Sequence, residues 1–151
     1  MTIRALVLAM LGTLALAPLV LPASAQNVAV IKERQEAMKA IGKSAKTAGQ
    51  MLKGEAPFDP DTAAALFATM HASAEKFGGL FPEDSKTGGD TEAAPAIWEK
   101  KGEFEAKLAK FDGDIEAAMA AKPADIDGFK ASFQAVAGNC KGCHQEFRVD
   151  K

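Results

Sequence analysis

The sequence predicts an all-α protein folded as an antiparallel up-down-up-down four-helix bundle. Apolar residues recur at alternating steps of three and four in four separate segments, which is the spacing of one helix face. Stretches rich in glycine, proline and acidic residues separate these segments, and no segment alternates like a strand. Four helices joined by short loops are expected to pack with consecutive helices antiparallel.

The first helix is predicted from Val28 to Leu52, and Gly54 and Pro57 end it. Only Gln35 interrupts its apolar stripe, which consists of Val28, Ile31, Gln35, Met38, Gly42, Ala45, Gly49 and Leu52.

The second helix is predicted to begin near residues 59–61, where an acidic side chain can cap free amide groups, and to end in FGGLFP. A polar loop, EDSKTGGDTEAAP, follows, and its Pro95 suits the first turn of a third helix. The stripe of the second helix is Phe67, Met70, Ala74 and Phe77.

The third helix is predicted as one continuous segment that ends before Pro123. Its stripe is Ile97, Lys101, Phe104, Leu108, Phe111, Ile115 and Ala118. The stripe of the fourth helix is Ile126, Phe129, Phe133, Val136, Cys140, Cys143 and Phe147. Both cysteines of the chain are therefore expected to face the core.

Residues 1–25 are predicted to be a cleaved signal peptide, which leaves residues 26–151 as one domain. Arg4 precedes an apolar run over 5–21, and ASA at 23–25 is a small-x-small cleavage pattern. The run is shorter than the roughly 20 residues of a membrane span and is broken by proline. Export predicts a periplasmic protein, in a compartment that permits disulfides.

The mature chain is expected to carry a small negative charge. Removing Arg4 leaves 17 basic and 20 acidic residues, a net charge of −3. This balance argues against nucleic acid or an anionic membrane surface as the partner of the mature chain.

The segment CKGCHQEF, residues 140–147, admits several interpretations. A thioredoxin-like dithiol needs a helix start beside parallel strands, and a structural zinc site needs about four ligands, whereas the chain offers two cysteines and two histidines. Two buried cysteines beside a hydrogen-bonded core histidine are the plainest alternative. Cys-x-x-Cys-His is, however, the signature of covalent haem attachment. Cys140 and Cys143 share one helix face, so both can bond one porphyrin edge while His144 binds the iron.

The second axial ligand would decide the function of such a haem. An open iron position binds small gases, whereas a methionine closes it and suits electron transfer. From the helix rise, Cys143 lies about 9 Å, Met38 about 16 Å and Met70 about 15 Å from the bundle end that they share, and the other helical methionines lie roughly 36 Å away. Geometry alone therefore leaves Met38, Met70 and His71 as candidates.

Four segments together resemble the class II c-type cytochromes, the cytochrome c′ family, over residues 26–151. They are ERQEAMK in the first helix, GLFPEDSKTGG in the loop, APAIWEKKGEFEAKLAKF in the third helix and CKGCHQEFR near the carboxyl end. GEAPFDPDTAAA and NCKGCHQEFR are most similar to the low-spin members, cytochromes c-556.

The resemblance implies one haem c with its iron, bonded to Cys140 and Cys143, with His144 as the proximal ligand. In the low-spin members a first-helix methionine directly before a lysine is the sixth ligand, and Met38 matches it. High-spin members carry methionine, leucine or phenylalanine at this place without binding iron.

The resemblance also implies weaker roles for other residues. Arg34 and Gln35 match residues that reach a haem propionate, and Trp98 matches a tryptophan that lies near the haem. Arg34 and Gln35 are equally compatible with a solvated charge and a polar break in the stripe, whereas Trp98 is first of all a large core or edge side chain. Some members of the family form homodimers through their first two helices and others do not.

Together these observations predict a periplasmic electron-transfer protein, not an enzyme. Two haem propionates would lower the mature charge to about −5, which favours a redox partner protein with a positive patch. The alternative is a five-coordinate, high-spin protein that binds nitric oxide or carbon monoxide for scavenging or sensing.

Overall fold

The computed structural model describes residues 27–149, so the predicted signal peptide lies outside the described residues. Regular structure between residues 27 and 149 is helical apart from one isolated β-bridge between Ala93 and Arg148. No helix in this range is both long and apolar enough to span a bilayer.

Four long helices form the bundle, and a one-turn helix, α3, precedes the third of them. Each long helix packs on the next long helix along the chain, and α1 also contacts α5. The predicted all-α, up-down-up-down four-helix bundle is confirmed. The helices are α1 Val28–Leu52, α2 Pro60–Gly78, α3 Ala96–Glu99, α4 Lys101–Ala121 and α5 Ile126–Phe147.

Polar side chains cap three of the helix starts. The side chain of Asn27 accepts a hydrogen bond from the amide of Val30, and that of Asp59 accepts one from Thr62. Asp125 caps α5 in the same way. Such caps satisfy amides that lack a helical partner and typically stabilise a helix by about 1 kcal/mol. The predicted start of the second helix near Asp59 is thereby confirmed.

The predicted third helix is divided in two. Lys100, with φ −121° and ψ 46°, leaves helical geometry between α3 and α4. Gly102, a weak helix former, follows the break. Ile97 of α3 and Phe104 of α4 are nevertheless buried in one cluster with Phe147 of α5. The periodicity predicted this shared face but gave no sign of the break.

The buried face of α1 is rotated by about one residue from the predicted stripe. Val28 is 38% exposed, whereas Arg34 and Ser44, which the stripe omitted, are buried. The buried residues of α1 are Ile31, Arg34, Ala37, Ile41, Ser44, Ala48 and Met51. Four members of the predicted stripe, Gln35, Met38, Gly42 and Ala45, line cavities instead. The stripe thus marks a cavity wall beside the packed face.

Two hydrophobic clusters occupy opposite ends of the bundle. The larger lies where α1 ends and α2 begins, and it includes Ala48, Met51, Ala63, Phe67, Met70, Ala74, Ile115, Ala118, Phe129 and Val136. The smaller joins Ile97, Phe104 and Phe147 near the start of α4 and the end of α5.

We expect Phe129→Ala to lower the free energy of unfolding by about 3 to 5 kcal/mol, because a large-to-small change in a core leaves a cavity. Phe129 is fully buried, and its ring centroid lies 5.7 Å from that of Phe58 and 5.6 Å from that of Phe67. Guanidinium chloride unfolding followed by circular dichroism measures the change. Met119→Ala, at a position that is 36% exposed, is the control and should change stability by less than about 1 kcal/mol. Equal losses in the two variants would contradict this assignment of the core.

Candidate functional site

Two adjoining cavities, of about 520 and 400 Å³, lie at the end of the bundle where α1 and α4 begin and α2 and α5 end. Both volumes fall within the range of about 300 to 1,000 Å³ that is usual for ligand pockets. The two cavities share six lining residues, namely Met38, Phe77, Phe104, Cys143, His144 and Arg148.

The last two turns of α5 bring the cysteines and the histidine of CKGCH to these cavities. Cys143 and His144 line both cavities, and Cys140 lines the smaller one. Cys140 and Cys143 are half-buried and form no disulfide with each other. The predicted orientation of both cysteines towards the interior agrees with this placement.

Burial raises the pKa of both thiols, and the positive charge of Lys107 only partly offsets this effect at Cys143. A reactive dithiol requires the opposite, a pKa lowered by a helix amino terminus or a cation. Cys140 and Cys143 lie near the carboxyl end of α5, where the helix dipole does not favour a thiolate. The site is therefore unsuited to thiol redox chemistry.

Met38 is the one residue among the three sixth-ligand candidates whose side chain lies at the cavities. It is half-buried and lines both of them. Met70 is 1% exposed and packs in the larger core cluster. His71 lies at the surface of α2, where Nδ1 is 2.8 Å from Oδ1 of Asp112.

Aromatic rings form the wall between the cavities and the smaller core cluster. The ring centroid of Phe81 lies 4.9 Å from that of Phe77 and 4.8 Å from that of Phe104, both in edge-on geometry. Phe104 in turn contacts Phe147 at 5.3 Å. Edge-to-face aromatic packing of this kind makes the wall apolar and holds the rings in place. The sequence predicted most of these rings as core, but not Phe81 as part of a cavity.

Arg34 is 4% exposed and fixes the loop between α2 and α3 against α1. Its terminal nitrogens donate hydrogen bonds to Leu80 O at 3.3 Å, to Ser85 Oγ at 2.9 Å, to Ser85 O at 2.8 Å and to Thr91 Oγ1. The guanidinium also stacks 5.1 Å from the ring centroid of Phe81 and 5.7 Å from that of Trp98. Burial lowers its pKa, but an arginine stays charged at any physiological pH.

Gln35 and Trp98 have different relations to the cavities. Gln35 lines the larger one, and its amide donates a 2.8 Å hydrogen bond to the carbonyl of Asp90. Trp98 lines neither cavity and packs behind Phe81, donating a 3.0 Å hydrogen bond from Nε1 to the carbonyl of Phe81. Trp98 therefore supports the wall from outside.

The end of the chain holds the same loop from the other side. Ala94 N donates to Phe147 O at 3.0 Å, and Val149 N donates to Glu92 O at 2.9 Å. Glu92 and Ala93 line the larger cavity. Hydrogen bonds from both α1 and the carboxyl end of α5 thus fix the position of the loop.

Lys107 of α4 is a site residue that the sequence did not single out. Its ammonium group donates to the carbonyl of Gly142 at 3.3 Å and lies 3.4 Å from Glu146. Gly142 and Glu146 lie within or beside CKGCH, so α4 supports the segment from outside. A charged residue on a helix surface gives no periodic signal, which is why the pattern missed it.

The donors at these cavities fit a covalently bound haem. The cavity walls combine two thiols one helix turn apart, an imidazole, a thioether sulfur and several aromatic rings, which are the side chains that such a group requires. A four-ligand zinc site does not fit, because His71 lines neither cavity and lies beside Asp112 and Glu116 of α4.

Comparisons with known proteins point in the same direction. The profile of the family described as Cytochrome C′ matches residues 29–148. Cytochrome c′ of Rhodopseudomonas palustris is 42% identical over 122 residues, covering 81% of this chain and 83% of that protein. Cytochrome c-556 of Agrobacterium tumefaciens strain II Chrys is 36% identical over 121 residues, covering 80% of this chain and 98% of that protein.

The folds agree as well as the sequences. The solved structure of cytochrome c′ from Rhodopseudomonas palustris superimposes with a TM-score of 0.77 at 42% identity, covering 81% of this chain and 97% of that one. The similarity therefore extends over nearly the whole of that structure.

We expect Arg34→Met to lower the free energy of unfolding by about 2 to 4 kcal/mol, because the buried carbonyls of the loop lose charged donors. Urea unfolding of the purified protein measures the change. Lys43→Met, at an exposed position of the same helix, removes the same charge and should cost less than about 1 kcal/mol. If the two variants were equally stable, Arg34 would not hold the loop.

Proposed function

The chain belongs to the cytochrome c′ family, and from this premise we propose that it is a periplasmic, low-spin electron-transfer cytochrome with His144 and Met38 as iron ligands. Members of the family carry covalently bound haem c, which is therefore the cofactor. The haem supplies a one-electron couple, and the surrounding protein sets its potential.

The observation that carries this proposal is the position of Met38. Its side chain and that of His144 line the same two cavities, from α1 and α5 respectively. A thioether opposite the imidazole would close the iron and raise its reduction potential, as in other His/Met cytochromes. Met70 is packed in the larger core cluster and so cannot compete for this role without breaking that cluster.

The cysteines and the aromatic wall have complementary roles in the proposal. Cys140 and Cys143 provide the two thioether bonds, so the cofactor stays attached whatever its oxidation state. Phe77, Phe81 and Phe104 exclude water and limit the movement of the site when an electron arrives or leaves. Such a site offers no group for bond chemistry on a substrate, so we propose a carrier and not an enzyme.

Arg34 and Gln35 remain our candidates for contacts with the haem propionates. The loop occupies the terminal nitrogens of Arg34, which leaves its Nε–H for such a contact. Gln35 would exchange its hydrogen bond to Asp90 for one to a propionate, or donate to both with its two amide hydrogens. Trp98 would act indirectly, by holding Phe81.

Redox partner proteins in the periplasm are the expected partners. The charge of about −5 that the mature chain and two propionates would carry favours a partner with a positive patch. The proposal includes no nucleic acid, and membrane binding is not needed for this role. Homodimer formation is compatible with it.

A second function is favoured by one observation. The relative at 42% identity is a cytochrome c′, whereas the cytochrome c-556 of Agrobacterium tumefaciens is 36% identical. In a gas-binding protein of the cytochrome c′ type, Met38 would crowd the distal side of a five-coordinate iron that binds nitric oxide or carbon monoxide.

Absorption spectra of the purified holoprotein, oxidised and reduced, separate the two functions at neutral pH. We expect a low-spin spectrum and slow or absent binding of carbon monoxide to the reduced protein. A high-spin, five-coordinate spectrum with rapid carbon monoxide binding would replace the first proposal with the second.

We expect Met38→Ala to leave the sixth coordination position of the haem iron vacant, because alanine has no side-chain atom that can bind iron. The spectrum should become high-spin, carbon monoxide should bind rapidly, and the reduction potential should fall. Redox titration and carbon monoxide mixing measure these changes. Met119→Ala, at the opposite end of the bundle, should behave like the unmodified protein. A low-spin Met38→Ala variant with an unchanged potential would exclude Met38 as the ligand.

A further inference from the structure

A second cluster of metal-ligating side chains lies on the outer surface between α2 and α4, away from the cavities. His71 and Glu75 lie one turn apart on α2, and Asp112 and Glu116 lie one turn apart on α4. One nitrogen of His71 and one carboxylate oxygen each of Asp112 and Glu116 lie within 4.8 Å of one another. The second ring nitrogen of His71, Nε2, lies 3.8 Å from the carboxylate of Glu75.

The three ligand atoms lie within 4.8 Å of one another, so they would have to approach by up to about 1.4 Å to bind one small cation. Zinc binds nitrogen and oxygen ligands at about 2.0 to 2.2 Å, which places two ligand atoms of a tetrahedral site roughly 3.4 Å apart. Glu116 is exposed, so its side chain can rotate to bring its carboxylate closer to His71 and Asp112. Nδ1 of His71 and Oδ1 of Asp112, at 2.8 Å, are joined by a hydrogen bond that a metal ion would replace.

The charges of the cluster also favour a cation. Three carboxylates surround one imidazole, and no lysine or arginine forms an ion pair with them among the described ion pairs of residues 27–149.

We propose that His71, Asp112 and Glu116 form a surface site for a divalent transition-metal ion, with Zn²⁺ as its probe. Mixed imidazole and carboxylate ligands favour such ions over Mg²⁺ and Ca²⁺, which prefer oxygen alone. His71 is the only histidine of the sequence besides His144, so it is the distinguishing ligand.

A metal ion here would cross-link α2 and α4. Both helices line the cavities, through Phe77 of α2 and through Phe104 and Phe111 of α4. Phe111 is the direct neighbour of Asp112. The site would therefore stabilise the two helices against each other next to the cavity wall, without entering the cavity.

Calorimetric titration of the purified holoprotein with Zn²⁺ at neutral pH tests the proposal. We expect one ion per chain, no displacement by an excess of Mg²⁺, and at least about tenfold weaker binding in His71→Ala and in Asp112→Asn, because removing even a residue that only supports a ligand typically costs about 10- to 100-fold in metal affinity. Glu105→Gln, two turns from Asp112 on the same helix, removes an equal charge and should leave the affinity unchanged. Circular dichroism establishes that each variant is folded.

The proposal is overturned if Zn²⁺ fails to bind, if His71→Ala binds it as tightly as the unmodified protein, or if Glu105→Gln weakens it as much as Asp112→Asn. Should His71→Ala prove unfolded, Glu116→Gln with His71 intact gives the same comparison. Displacement of Zn²⁺ by Mg²⁺ would reveal a general attraction of cations to acidic residues and would also overturn it. The haem absorption spectrum reports separately on the proposed electron-transfer site, so either proposal can fail alone.

Discussion

The buried guanidinium of Arg34 is the interaction on which the geometry of the cavities depends. It connects α1 to a loop of seventeen residues, 79–95, that would otherwise have few reasons to adopt one conformation. Burying an unpaired charge is costly, so its hydrogen bonds to Leu80, Ser85 and Thr91 must form together or not at all. Because Phe81, Asp90 and Glu92 of this loop line the larger cavity, the cavity takes shape only when the loop is in place.

The two ends of the bundle differ in packing: one end holds the larger core cluster, and the other holds the cavities. The end with Phe67 and Phe129 is closely packed and supplies most of the apolar burial. The other end is less closely packed and contains the cavities. Hydrogen bonds hold it together: those from Arg34 to the loop, and those between residues 92–94 and 147–149. Stability that comes from one end allows a ligand site at the other, because none of the buried residues of the larger cluster lines a cavity.

Much of this arrangement could be predicted from the sequence. Helical periodicity placed the four long helices and the inward face of α5, since both depend on local spacing alone. The rotation of the α1 face was missed because Arg34 and Ser44 are polar, and the burial of Arg34 depends on partners more than forty residues away. Helix spacing alone left both Met38 and Met70 as candidates, and the packing of the four helices places only Met38 at the cavities. The break at Lys100 left no trace in the pattern.

The cavities lie at the end that also holds both ends of the described chain. Asn27 is bonded to Asp84 of the loop, and Val149 to Glu92. The connections at 53–59 and 122–125 lie at the opposite end, beside the packed core. If the protein is to be immobilised on an electrode, one of these two connections is therefore the suitable point of attachment. A reactive group other than a thiol, placed near Gly54, would serve this purpose. The cavity end would then point into solution, open to exchange with a diffusing partner.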